Sequence, residues 1–154
     1  MPLRAATVVV TMAAASLWAA YPHGAQAVDV DRGSRDYTLP DQIQWRDTAE
    51  GRTANLYGDA SKPDLYAYVV KRGPNMWSTP HYHPIDRVVM VMGGTMWIGT
   101  GPSGDKRRTV GVPKGGFIHD IARGVHYDGS GNDPMWILTA GVGPTATVNV
   151  DPPK

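Results

Sequence analysis

Glycine and proline interrupt this chain so often that helices have little room to form. Eighteen Gly and thirteen Pro are spread through 154 residues. Beyond residue 40 no window offers ten residues of helical periodicity without one of them. An interior Gly costs a helix about 1 kcal/mol relative to Ala, and an interior Pro about 3 kcal/mol. The runs between these breakers are short and rich in Val, Ile, Tyr, Trp and Thr, which suit a pleated, half-buried surface. Strands are predicted over 42–45, 54–57, 65–72, 87–92, 95–100, 107–112, 117–121, 125–127, 134–142 and 145–150. Gly93-Gly94 reads as a two-residue hairpin turn, and Gly73-Pro74, Gly101-Pro102, Pro113–Gly116 and Gly143-Pro144 mark further turns. Many short strands with regular turns predict an all-β sandwich or barrel. No internal repeat or linker divides it, so a single domain is expected.

The first 27 residues have a different character. A basic residue, Arg4, precedes an apolar Ala/Val-rich run, and small residues close the segment at Ala25-Gln26-Ala27. This is the pattern of a secretory signal peptide over 1–27, and it predicts a secreted or periplasmic protein with no stable membrane anchor after cleavage. The apolar run is short and broken by Thr and Ser, which argues against a membrane span. Residues 28–40 are polar and aperiodic and read as an extended arm, leaving 41–154 as the folded domain. Cleavage removes Arg4 from fifteen basic residues against fourteen acidic ones, so the remaining chain is formally neutral. Such a chain has no long-range field to gather nucleic acid, which is therefore not an expected partner. Zero cysteine excludes disulfides, zinc fingers, iron–sulfur clusters and thiol nucleophiles. Thirteen of the acids are Asp, and Glu50 is the single glutamate.

The histidines carry the chemistry. His81 and His83 stand two apart in Thr79-Pro80-His81-Tyr82-His83-Pro84. On an extended backbone, residues i and i+2 share a face, so both imidazoles can converge on one ion. Gly73 precedes the pair, an apolar strand ending in Gly93-Gly94 follows it, and Pro113-Lys114-Gly115 leads to a third histidine, His126, after Gly124-Val125.

With these residues the chain resembles the cupin family. Gly73, His81, His83 and Gly94 match the first cupin motif. Gly111, Pro113, Gly115 and His126 match the second loosely, and Gly141-Val142-Gly143-Pro144 resembles the final element of small, often secreted single-domain cupins. The resemblance covers 73–142. It implies a double-stranded β-helix, the jelly-roll barrel, with its histidines in the mouth. It further implies a divalent metal ion (Fe, Zn, Ni, Cu or Mn) on His81, His83 and His126, a small-molecule ligand or substrate, and pairing as a homodimer.

One position departs from the family. Arg87 stands where the first motif carries its glutamate ligand, and Glu50 lies upstream of both motifs. Three arrangements are open. The site is built from three histidines with water completing the shell, or Asp86 takes the carboxylate position through a bulge, or no metal binds and the histidines line a polar pocket. Arg87 either faces the cavity and anchors an anionic substrate through paired hydrogen bonds, or points outward and pairs with an Asp such as Asp86. His119 reads as a hydrogen-bonded core residue, with a fourth-ligand or proton-carrying role as the alternative. Tyr82 and Tyr127 alternate with ligand positions and read as packing or rim residues. Trp77, Trp97 and Trp136 with Met90, Met92 and Met96 are either core or the lining of an apolar pocket around the metal.

Other chemistries lack their patterns. No G-x-S-x-G is present, the glycine-rich 99–104 opens no helix, and Lys106-Arg107-Arg108 beside Asp105 reads as a solvated loop. Two functions of different class remain. One is a metal-dependent small-molecule enzyme, dioxygenase-like with Fe or Lewis-acidic with Zn, with Arg87 as substrate anchor. The other is a non-catalytic extracytoplasmic module that holds a metal or a small ligand.

Overall fold

The structure is a computed structural model that describes residues 30–151. The predicted signal peptide lies outside the described residues, as does the start of the predicted arm. Residues 30–37 form a small turn of their own, in which Asp31 accepts from the Gly33 amide and the Ser34 hydroxyl and Arg32 pairs with Asp36.

From residue 38 onward the regular structure is almost entirely strand. After a 3-10 turn at Pro40–Gln42 come β1 (Arg46–Thr48), β2 (Gly51–Tyr57), β3 (Leu65–Arg72), β4 (His81–Tyr82), β5 (Arg87–Gly93) and β6 (Thr95–Thr100). A second 3-10 turn at Lys106–Arg108 precedes β7 (Val110–Pro113), β8 (Phe117–Asp120), β9 (His126–Ser130), β10 (Met135–Val142) and β11 (Val148–Asn149). They form two antiparallel sheets, one in the order β1-β2-β3-β10-β5-β8 and the other β11-β4-β9-β6-β7. Strand alternation divides each sheet into an inner and an outer face. Along β5, Val89 and Val91 are buried while Val88, Met90 and Met92 are exposed. The inner faces meet in a core of Val89, Val91, Met96, Ile118, Met135 and Ile137. Burying side chains of this size contributes about 1.5–3 kcal/mol each.

Several predicted boundaries change. Gly93-Gly94 does not close a hairpin: β5 pairs with β10 and β8, whereas β6 pairs with β9 and β7, so the turn carries the chain from one sheet to the other. Gly94 is left-handed (φ 68), and a Cβ there would stand 2.1 Å from the Pro134 carbonyl oxygen, so only glycine makes this crossing. Residues 42–45 are not a strand. The predicted 107–112 strand starts at Val110, because the Asp105 side chain accepts from the Arg107 amide and winds the preceding residues into the 3-10 turn. Only Val148–Asn149 of 145–150 pairs, and the short β4 around His81 lies in a proline-rich stretch where no strand was predicted. Among the described residues no helix is long and apolar enough to cross a membrane.

Candidate metal centre

Register brings the histidines together. His81 on β4 is the cross-strand partner of His126 on β9, and His83 follows two residues after His81. The carbonyl of His83 accepts from the Arg123 amide (2.7 Å), which ties the loop before His126 to this segment. The imidazole centroids lie 4.5 Å (His81–His126), 5.0 Å (His81–His83) and 5.3 Å (His83–His126) apart. One nitrogen from each ring falls within 4.8 Å of the other two.

Main-chain carbonyls fix each ring. Nδ1–H of His81 donates to Thr79 (2.8 Å), that of His83 to Ala146 (2.9 Å) and that of His126 to Gly124 (2.8 Å). A neutral imidazole that donates from Nδ1 keeps its lone pair on Nε2. Nε2 of His83 and Nε2 of His126 are buried and have no hydrogen-bond partner. Burial, with a smaller contribution from the nearby Arg87 charge, pushes the His83 pKa down to about 4. Burial likewise lowers that of His81, against the opposing pull of the Thr79 carbonyl and Asp128. Both rings are therefore neutral at pH 7 and able to ligate. Buried lone pairs without partners are costly unless something occupies the point where they converge. That donor set fits a borderline divalent ion.

Two buried arginine–aspartate pairs flank the trio. Arg87 donates from Nε to Asp120 Oδ2 (2.7 Å) and from a terminal nitrogen to the Tyr68 hydroxyl (2.9 Å). The same Asp120 oxygen stands 3.9 Å from His126 Nε2. Arg72 bonds to Asp128 Oδ1 and reaches Glu50 (2.8 Å), while Asp128 Oδ2 lies 4.0 Å from His81 Nε2. Burial acts to lower the Arg87 pKa, but Tyr68 and Asp120 outweigh it and the net direction is upward. Two guanidinium groups against three carboxylates leave the surroundings with one net negative charge. Arg87 therefore does not oppose a divalent cation, because Asp120 already offsets its charge. A cavity of about 400 Å³ opens beside His81 and His83, walled by Arg72, Arg87, Tyr68 and Thr139 and reaching the Glu50 turn between β1 and β2.

The sequence-derived candidates thus separate. His81, His83 and His126 converge. Arg87 faces the cavity, and its partner is Asp120, its register neighbour across β5 and β8, rather than Asp86. Asp86 cannot take the fourth position: it precedes β5 on the outward parity, where its carboxylate accepts from the Ala122 amide (2.6 Å) and faces His119. His119 is neither core nor ligand. It lies on the exposed face of β8, 3.6 Å from Asp86 and on a different sheet from His126. Of the Trp and Met residues considered, only Met96 borders the cavity. Met90, Met92 and Trp97 are exposed, and Trp136 packs edge-on against Trp45 with Lys71 over both rings. Arg72, Asp120 and Asp128 were not among the sequence candidates, and Glu50, set apart there only as the lone glutamate upstream of both motifs, reaches Arg72. Parity with the buried Ile118 pointed Asp120 inward, but nothing local announces the pairing of Arg72 with Asp128, 56 residues away.

No protein-family model matches the chain, and no curated protein matches it. Solved structures do. A polyketide cyclase, RemF, from Streptomyces resistomycificus superposes with a TM-score of 0.63 at 17% identity, over 77% of this chain and 87% of that one. The DMSP lyase DddQ from Ruegeria pomeroyi DSS-3 superposes with a TM-score of 0.57 at 20% identity, over 73% of this chain and 63% of the lyase. An RmlC-like cupin from Shewanella frigidimarina gives 0.56 at 12% identity, over 68% and 86%. At these identities the likeness is one of fold.

Proposed function

We propose that this chain, a cupin-fold barrel, holds a divalent metal on Nε2 of His81, His83 and His126 and turns over a small molecule carrying an oxygen anion. The observation that carries the reading is the pair of buried, partnerless Nε2 atoms on His83 and His126, with His83 on the wall of the cavity. The fold neighbours named above include two enzymes of different chemistry, so the fold itself does not select a reaction.

The chain's own groups have separable tasks. Carbonyls of Thr79, Ala146 and Gly124 hold the three rings in the tautomer that ligates. When bound, the ion supplies Lewis-acid polarisation of a substrate oxygen, or one-electron chemistry if it is redox-active. Arg87 uses Nε and one terminal nitrogen on protein partners, and its second terminal nitrogen has none among the described residues. That N–H is aimed to orient a substrate oxygen, acting as a placed donor more than as a free charge. Asp128 Oδ2 is available to receive a hydrogen bond from a ligand hydroxyl or water next to His81. Val70, Met96 and Ile137 cover the apolar side of the cavity and limit water around the ligand.

The test begins with the purified chain, its metal content measured as isolated and after loading with Fe(II) or Zn(II). Oxygen uptake of the Fe(II)-loaded protein and consumption across a panel of small carboxylates and enols follow. We expect one metal per chain, and its loss in His81→Ala/His83→Ala. No metal in the wild-type protein under any loading would defeat the reading. Metal retained without consumption of any compound would favour a non-catalytic binding module. The leader-like pattern of residues 1–27 supports action outside the cytoplasm, checked by N-terminal sequencing of the exported protein.

A further inference from the structure

The second sheet has another face. Met96 and Asp128 point inward to the cavity, so their neighbours Trp97 and Gly129 point outward. Trp97 pairs across the sheet with Gly111 on β7 and Gly129 on β9, and Trp77 bridges to Gly129 from the far side. These glycines leave room for indoles lying against the backbone. A Cβ on Gly111 would come within 3.2 Å of the six-membered ring of Trp97, and one on Gly131 within 2.7 Å of its Nε1. A Cβ on Gly129 would fall 2.4 Å from the Trp77 ring. One surface of each indole is therefore seated on glycine backbone, and Trp97 remains 37% exposed.

Two adjoining depressions meet at Trp97, one of about 350 Å³ toward Trp77 and one of about 250 Å³ toward Asp133. Their rims carry hydrogen-bonding groups of both kinds. The side-chain amides of Asn75 and Asn132 point to solvent with no intramolecular partner among the described residues, and Thr95 and Thr109 add hydroxyls. Charges of both signs border the depressions: Arg107 makes two bonds to Asp105 (2.9 and 3.0 Å), Lys106 stands 5.2 Å from the Trp77 ring, a cation–π contact, and Asp133 lines the second depression. An aromatic platform rimmed with amides, hydroxyls and charges of both signs complements a polyhydroxylated ring, whose C–H face packs on the indole and whose hydroxyls both donate and accept.

We propose that this outer face is a carbohydrate-binding site, in which the exposed Trp97 stacks a sugar ring of a neutral glycan and Asn75 and Asn132 bond its hydroxyls. It is separate from the metal centre, which lies on the opposite face of the same sheet. The site requires nothing of the metal-dependent reading and stands if that reading fails.

The experiment titrates the full chain with cellohexaose, xylohexaose and chitohexaose, following tryptophan fluorescence and calorimetric heat. At least one hexasaccharide should bind. Trp97→Ala should weaken it at least tenfold, the loss expected when a stacking platform is removed. Trp97→Phe should retain part of the affinity, and Asn132→Ala, at an exposed position that cannot unfold the domain, should lose severalfold. His81→Ala/His83→Ala should bind the sugar as the wild type does. Failure of all three glycans to bind would overturn the proposal, as would affinity unchanged by both Trp97→Ala and Asn132→Ala. Loss of sugar binding in the histidine variant would move the sugar into the metal cavity and overturn it as well. Sedimentation that shows a dimer dissolved by Trp97→Ala would reassign the face to contact between copies.

Discussion

Two polar side-chain pairs flank the β5–β8 seam and lie on opposite faces of the sheet. Arg87 and Asp120 are cross-strand partners with side chains only 10% and 9% exposed. Asp86, just before β5, faces His119 of β8 diagonally across the seam, with side chains 62% and 50% exposed. Strand parity alone separates them. The inner pair is desolvated, is hydrogen-bonded onward to Tyr68, and stands beside the histidine trio. The outer pair is solvated and screened, and such pairs contribute little to stability. An aspartate three residues after His83 and a histidine seven residues before His126 can thus look like metal ligands, while the carboxylate that neighbours the site lies 33 residues beyond Arg87.

The largest expected effect concerns the histidines themselves. His81→Ala/His83→Ala should lower metal affinity by more than a hundredfold in a chelator-competition assay, whereas His119→Ala should leave it unchanged. Equal losses would erase the distinction between inner and outer faces. Next comes Arg87→Ala, which strands Asp120 in a buried site. It should lower unfolding stability by about 3–5 kcal/mol in urea titration. Removing both partners as Arg87→Met/Asp120→Leu should recover most of that loss, since a desolvated pair replaced by apolar groups is often close to neutral.

A third measurement uses pH. The His83 pKa is about 4 in the folded chain, below the ordinary 6.5. As pH falls, the unfolded chain takes up this proton first. The metal-free domain should therefore hold its full stability above pH 6.5 and lose it as pH drops from 6.5 toward 4. His83→Gln should flatten that part of the curve, as read from urea midpoints at several pH values. The smallest effect is that of His119→Ala, within about 0.5 kcal/mol, as befits an exposed pair.

Much of this architecture could be read from the residues, because period-two alternation and turn chemistry are local properties. The spacing of His81 and His83 placed both rings on one side of an extended segment, and β3 and β6 have the predicted bounds. The direction of Arg87, open in the sequence, is settled by its parity with the buried Val89 and Val91 once β5 is in place. What could not be read were pairings decided by the sheets. Glu50 reaches Arg72 only because the β1–β2 hairpin folds over the cavity mouth, and Asp128 meets Arg72 across the barrel. The Gly93-Gly94 turn shows the same limit, because its residues specify a reversal but not the sheet to which the next strand goes.

The carbonyl anchors on the three imidazoles have a consequence for how such a site persists through sequence divergence. Ligand orientation elsewhere often depends on a partnering side chain, which a single substitution can remove. Here the partners are the main-chain oxygens of Thr79, Gly124 and Ala146, which every amino acid possesses. Substitution at those three positions, so long as the backbone path is kept, leaves the donor geometry in place. The arrangement can outlast nearly all the surrounding sequence.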